Sequence, residues 1–154
     1  MNPSHVEAHN NLGNTLKERG GLEEAESSYR QAIALNPRYA GAHYNLGITL
    51  QELGRLEDAV DSYNTAEWLD PDLDCKMSIA AAHLKNEDAE NALLILEHFL
   101  ENNPQDTRAN AYKTIALRGL GQFDQLNDLI NFPNLVKKSD IQLLTNDDMI
   151  EFNK

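Results

Sequence analysis

The sequence is short of several things, and each shortage excludes something. Only one of its 154 residues is a cysteine, Cys75, so no internal disulfide can form and a cytoplasmic setting is expected. A lone thiol of this kind is ordinarily a small core residue, and no pattern of basic partners marks it as reactive. Aromatic residues make up 6% of the chain, while small residues are plentiful, a balance that suits helix-on-helix packing better than a β-sandwich. No apolar run approaches the ~20 residues needed to span a bilayer. The opening residues, Met1 to Glu7, carry neither a basic region nor an apolar stretch, so they form no secretory signal. Cations are scarce as well: 13 Lys and Arg stand against 25 Asp and Glu, a net charge of -12. Nucleic acid and anionic membrane surfaces are therefore disfavoured as partners. Glycine-rich phosphate loops, a Gly-x-Ser-x-Gly elbow and a Ser/His/Asp arrangement are all missing, so the chain is not expected to be an enzyme and no cofactor is expected.

What is present is periodicity. Prolines fall at Pro3, Pro37, Pro71 and Pro104, at intervals of 34, 34 and 33 residues, and looking for such repeats comes before any element-by-element reading. Ala8 to Leu16 aligns without a gap on Ala42 to Leu50, and Gly21-Leu22-Glu23-Glu24-Ala25 aligns on Arg55-Leu56-Glu57-Asp58-Ala59. Ser28-Tyr29 likewise matches Ser62-Tyr63. Within a unit, apolar or small residues recur at three- and four-residue steps, as at Leu12 and Leu16, then Ala25, Tyr29, Ala32 and Ile33. That spacing marks helices with a buried stripe. Gly20-Gly21 and Gly54 break the chain between two helices, and Asn36-Pro37 and Asp70-Pro71 end the second one, because a residue before proline avoids the helical region. Helices are predicted at about 6–19, 22–35, 40–53, 56–69, 74–85, 88–101, 107–119 and 123–131. Gly13 and Gly47 lie inside first helices, where glycine costs ~1 kcal/mol against alanine. Close approach of the helices carrying Ala32 and Ala66 is the expected reason.

This pattern resembles the tetratricopeptide repeat. The resemblance rests on Leu12-Gly13, Leu16, Ala25, Tyr29, Ala32 and Pro37, and on Leu46-Gly47, Leu50, Ala59, Tyr63, Ala66 and Pro71. His9 and His43 replace the large aromatic that often opens the motif. A third unit is worn (Met77, Ala80-Ala81, Leu84, Ala92, Leu96, Phe99, Pro104) and one residue short, with the deletion placed at the turn around Lys85-Asn86. In a fourth, Lys113-Thr114 occupy the Leu-Gly positions. The resemblance implies an all-α, right-handed superhelical solenoid of antiparallel helix pairs. It would have about four units, at 6–39, 40–73, 74–106 and 107–132, in an array spanning 1–132. Residues 133–154 leave the pattern. With Ile141, Leu143, Leu144, Met149, Ile150 and Phe152 they are too apolar for a disordered tail, and are read as a C-terminal cap or the start of a linker. Because Pro3 stands where a preceding unit would end, the chain reads as a piece cut from a larger protein.

In this family the first helix of each unit lines a concave groove. The second helices (22–35, 56–69, 87–101, 122–132) carry -2, -4, -5 and -2, whereas the first-helix segments (4–21, 36–55, 74–86, 102–121) carry 0, +1, +1 and +2. The acidity thus belongs to the back, where it can serve solubility alone. Carried over by register, the groove positions are Asn10, Asn11, Asn14 and Lys17, then Tyr44, Asn45, Ile48 and Gln51. Ser78 and Lys85 follow, and finally Arg108, Tyr112 and Arg118. Asn11 and Asn45, each before a Leu-Gly pair, resemble the asparagine ladder of O-linked N-acetylglucosamine transferase and similar bacterial arrays. A carboxamide both donates and accepts, so a column of them can hold a peptide backbone; equally, it can merely solvate a helix face. Ile79 and Tyr112 are read as ending that column. The family's dicarboxylate clamp is excluded, because only Asn14 and Asn45 match it. His5 and His9 have the i, i+4 spacing of a metal pair. His9 recurs as His43 at the same packed position, so no metal is expected.

Two functional classes follow. One is a protein–protein interaction scaffold that binds a peptide or partner segment in the groove. The other is the substrate-recruiting or oligomerising arm of a larger enzyme, of glycosyltransferase type or, on a short likeness over Leu126–Asn153, of Fe(II)/2-oxoglutarate oxygenase type. Self-association through the open N-terminal repeat end is a third expectation.

Overall fold

The computed structural model describes residues 3–122 and Gln125, which leaves the helix expected at 123–131, Gln125 apart, and the segment 133–154 outside the described residues. Among the described residues seven α-helices follow one another: α1 Pro3–Glu18, α2 Leu22–Leu35, α3 Ala40–Glu52, α4 Leu56–Leu69, α5 Lys76–Lys85, α6 Ala89–Asn102 and α7 Thr107–Gly119. A 3₁₀ turn, Pro71–Leu73, lies between α4 and α5. There is no strand among the described residues. The chain divides into two compact units, Met1–Ala82 and His83–Lys154.

In the first unit α1 packs on α2, α3 on α4, and α3 also rests on α1 and α2. Its core is Val6, Ala32 and Ala42 with the flanking Ile33, Leu35 and Tyr39, joined by Tyr29, Tyr63, Leu50, Thr49 and Cys75, all fully buried. Gly13 and Gly47 are where the close approach occurs, but its agent is a ring. A Cβ on Gly13 would lie 2.5 Å from Tyr29 Cε1, and one on Gly47 2.7 Å from Tyr63 Cδ1 and Cε1. Tyr29 and Tyr63 stand on the helices that carry Ala32 and Ala66, so the expected helices do make the approach, through a ring and not an alanine, and each glycine is the socket of its own unit's tyrosine. Burying a tyrosine removes ~150–250 Å² from water, worth about 4–6 kcal/mol at ~25 cal/mol per Å². That outweighs the ~1 kcal/mol that glycine costs a helix.

The turns inside each repeat share one geometry. Gly20, Gly54, Glu87 and Gly121 all have positive φ, at 82, 77, 58 and 68°. The residue after each donates its N–H five residues back: Gly21 to Leu16 O, Arg55 to Leu50 O, Asp88 to His83 O and Gln122 to Leu117 O, all at 2.9 Å. This is a Schellman termination, which satisfies the last carbonyls of a helix. It relocates the deletion in the third repeat. The turn after Lys85 is complete, with Glu87 standing where glycine stands elsewhere. The missing residue lies between Pro71 and Cys75 instead, where the chain makes its 3₁₀ turn and Asp74 adopts φ 36°. Cys75, Ile79 and Ala80 thus take the places of Ala42, Leu46 and Gly47. In the second unit α6 packs on α7, with Ala92, Leu96, Ala109, Ala116 and Leu117 buried.

Candidate partner-binding face

The buried tyrosines reach through the first unit to the amides of α1 and α3. Tyr29 donates its hydroxyl to Asn14 Oδ1 at 2.8 Å, and Tyr63 donates to Gln51 Oε1 at 3.1 Å. Asn45 Nδ2 donates to Asn10 Oδ1 at 3.0 Å, a bond that links consecutive repeats. Each bond consumes the oxygen of one amide, so Asn10, Asn14 and Gln51 keep their NH2 groups as donors and Asn45 keeps its oxygen as an acceptor. No buried side-chain nitrogen or oxygen is left unpartnered among the described residues, so these remaining ends reach solvent. Burial pushes the Tyr63 hydroxyl far up, with the Tyr44 hydroxyl adding to it, and burial likewise raises Tyr29. Both therefore remain donors at any physiological pH.

The other expected groove positions fall in distinct settings. Asn11 is exposed, and Lys17, Tyr44 and Ile48 are half-buried. The Tyr44 ring packs tilted against Tyr63, with centroids 5.7 Å apart. Asn10, by contrast, is only 6% exposed, and sequence reasoning did not anticipate its bond to Asn45. The signal was available, since polar residues on one stripe of successive first helices face each other when repeats stack. Ser78 and Lys85 are half-buried. The relocated deletion changes their register: Ser78, not Ile79, now follows Asn11 and Asn45 in the column, and Met77 and Leu84 take the places counted for Ser78 and Lys85. In the second unit Arg108 is exposed and lies over Tyr112, its guanidinium carbon 5.4 Å from the ring centroid and its Nη2 donating to the Tyr112 hydroxyl at 3.1 Å. Tyr112 is buried and Arg118 exposed. The structure thus brings Asn10, Asn14, Asn45 and Gln51 into bonds with the packing of the first unit, and pairs Arg108 with Tyr112 in the second.

No group of three or more His, Cys, Asp or Glu could hold a metal ion among the described residues. Cys75 is buried, and burial, reinforced by Glu67 and Asp74, pushes its thiol up to about 11, which keeps it protonated and slow to react. No helix among the described residues is long and apolar enough to cross a membrane. Elsewhere in the first unit a cleft of about 360 Å³ opens between α2 and α4, with Ile33, Ala34 and Leu46 among its lining.

Comparison with known proteins agrees with this geometry. A family model described as "TPR repeat" matches residues 13–54, and one described as "Tetratricopeptide repeat" matches residues 40–73. A search among curated proteins found no match. Among solved structures, MamA of Desulfovibrio magneticus superposes with a TM-score of 0.74 at 23% identity, over 82% of this chain and 72% of that one. YrrB, described as a TPR protein with an unusual peptide-binding site, gives 0.65 at 25% identity over 80% and 64%. An O-GlcNAc transferase from Thermobaculum terrenum gives 0.62 at 21% identity, over 74% of this chain and 22% of that one.

Proposed function

From the premise that this is a tetratricopeptide-repeat chain, its repeats recognised over residues 13–73, we propose that it is an interaction scaffold whose α1–α3 face takes an extended segment of another protein. The observation that carries this reading is the Asn45–Asn10 bond. It fixes two amides across consecutive repeats and leaves the oxygen of the half-buried Asn45 as an acceptor for a peptide N–H, with the buried Asn10 serving to hold Asn45 in place. Asn11 and Ser78 extend the column, Asn14 and Gln51 are held by the tyrosine hydroxyls, and Lys17, Tyr44 and Ile48 supply a cation and apolar contact beside them. Preorganised amides lose little conformational entropy on binding. In the second unit the exposed Arg108 and Arg118 are read as separate basic contacts, with the buried Tyr112 holding Arg108, while the shifted register takes Lys85 out of the groove positions. YrrB, whose description names a peptide-binding site, supports a peptide as the ligand class.

A photo-crosslinking residue placed at Asn11, and separately at the exposed Glu90 of α6, tests the assignment in extracts of the source cell. Adducts mapping to one partner segment from position 11, and not from position 90, are expected. Equal labelling from both positions removes the groove assignment.

A second reading, as a recruiting arm for a glycosyltransferase-type domain, is supported by the likeness to O-GlcNAc transferase, of whose chain the match covers 22%. Co-purification of glycosyltransferase activity with the native protein tests it, and its absence counts against it. Self-association is supported by Leu12, which is 49% exposed where its counterpart Leu46 is 5% exposed. Light scattering over a range of concentrations tests that, and an unchanged mass at all of them excludes it.

A further inference from the structure

The cleft between α2 and α4, with His43 and Leu46 of α3 also in its lining, contains none of the amides of the reading above. Ile33, Ala34 and Leu46 give it an apolar lining, with Arg30, His43, Asp61, Ser62 and Thr65 around them. Asp61, Thr65 and Trp68 recur at four- and three-residue steps and so share one stripe of α4. Three residues past Thr65 on that stripe stands Trp68, the sole tryptophan of the chain, which is 77% exposed. An exposed indole offers an apolar face and an N–H together, the combination that enriches tryptophan at interfaces.

The charges decide what fits. On the α2 side Arg30 is paired with Glu26, which also takes Arg55 at 2.7 Å, and Arg55 in turn takes Asp58 at 2.7 Å. Those four groups neutralise one another. Burial pushes the Glu26 carboxyl up, but its bonds to Arg30 and Arg55 outweigh this and hold it below its ordinary value. His43 is engaged with Pro37 O at 3.0 Å. Glu57 and Asp61, both exposed on the α4 stripe, have no ion pair among the described residues. The surplus at the cleft is negative, and it ends on an aromatic face.

We propose that this cleft is a second docking surface, and that its occupant is an extended basic segment of a partner protein. One cationic side chain would pair with Asp61 and another would lie on the Trp68 ring. The seven-residue separation on α4 spans about 10 Å, which three residues of an extended chain also span. A cation over an indole ring is attracted by the ring quadrupole.

The probe is a capped hexapeptide with lysines at its second and fifth positions and glycine or alanine elsewhere, at low ionic strength. Trp68 fluorescence is the readout, since no other residue contributes indole emission. A saturable change is expected with the lysine peptide and none with its glutamate counterpart. Asp61→Asn should weaken the apparent affinity about fivefold, in line with one exposed charge pair, while Glu90→Gln leaves it unchanged. A dye-labelled form of the peptide, followed by anisotropy, should bind Trp68→Ala several-fold more weakly. The proposal is overturned if Trp68 does not respond to the lysine peptide, or if Asp61→Asn and Glu90→Gln behave alike. Because the α1–α3 amides take no part, Asn11→Ala with Asn45→Ala should leave this signal intact, which separates failure here from failure of the groove reading.

Discussion

The turn at Gly54 and the turn at Glu87 have the same backbone and different means of holding it. Both close with a five-residue Schellman bond of 2.9 Å, yet one places glycine in the left-handed region and the other places glutamate there. A β-carbon in that region costs roughly 1–2 kcal/mol. The helix after Gly54 starts at Arg55 with no side-chain cap. The helix after Glu87 starts at Asp88, whose carboxylate accepts from the Asn91 N–H at 3.2 Å and meets His83 Nδ1 at 3.0 Å. The contrast extends to the packing: Tyr29 and Tyr63 fit over glycines, whereas Leu96 stands at their place in the third repeat and has no hydroxyl with which to hold an amide. The backbone reversal is thus the more constant part of the repeat. The glycine–tyrosine socket, and the oriented amides that depend on it, belong to the first two repeats.

The largest expected effect comes from emptying a socket. Tyr63→Ala should cost about 3–5 kcal/mol, as for other buried aromatic truncations, and should free Gln51, seen in denaturant unfolding of the whole chain. A loss under about 1 kcal/mol would mean that the ring is not the keystone of its repeat. Gly47→Ala drives a Cβ into the same ring. An overpacking cost of about 1–3 kcal/mol is only partly offset by the ~1 kcal/mol gain in helix propensity, so net destabilisation is expected, and net stabilisation would contradict the socket. The turns should respond in opposite directions. Glu87→Gly should stabilise by about 1 kcal/mol and Gly54→Glu should destabilise by about as much, both by urea titration.

The smallest effect carries a pH signature. The Asp88 carboxyl is held below its ordinary value chiefly by the Asn91 side-chain bond, against a burial contribution that raises it, with the Asn91 N–H and His83 assisting. A lowered folded-state value stabilises the fold above the unfolded value, and that contribution disappears as pH falls through the folded one. Asp88→Ala should therefore cost about 1 kcal/mol at neutral pH, and the two proteins should converge in acid. A gap that persists there would point to lost packing instead of a lost charge.

Much of this was legible in the sequence because it is periodic. The helices α2, α4 and α7 match their expected bounds, since proline, glycine and the 34-residue spacing set them. Three features escaped. The deletion was misplaced because Glu87 hides a turn that sequence reading recognises by glycine. For the socket, the buried stripe names the helix that approaches each glycine but not which of its side chains, Tyr29 and not Ala32, fills the space. The burial of Asn10 follows from contact between residues 35 apart in consecutive repeats, which no local pattern encodes. The composition of the face was legible, whereas which ends of its amides remain free was set by the tyrosine hydroxyls.

The most direct measurement is the affinity of a crosslink-mapped partner segment, made as a synthetic peptide, for the wild-type chain and for Asn11→Ala combined with Asn45→Ala, by titration calorimetry. Removing Asn45 also removes its bond to Asn10, at about 1 kcal/mol of stability, so binding is measured well below the unfolding midpoint of both proteins. A tenfold or greater rise in Kd with a folded variant is the predicted result. An unchanged Kd would contradict the assignment of partner binding to the α1–α3 amides.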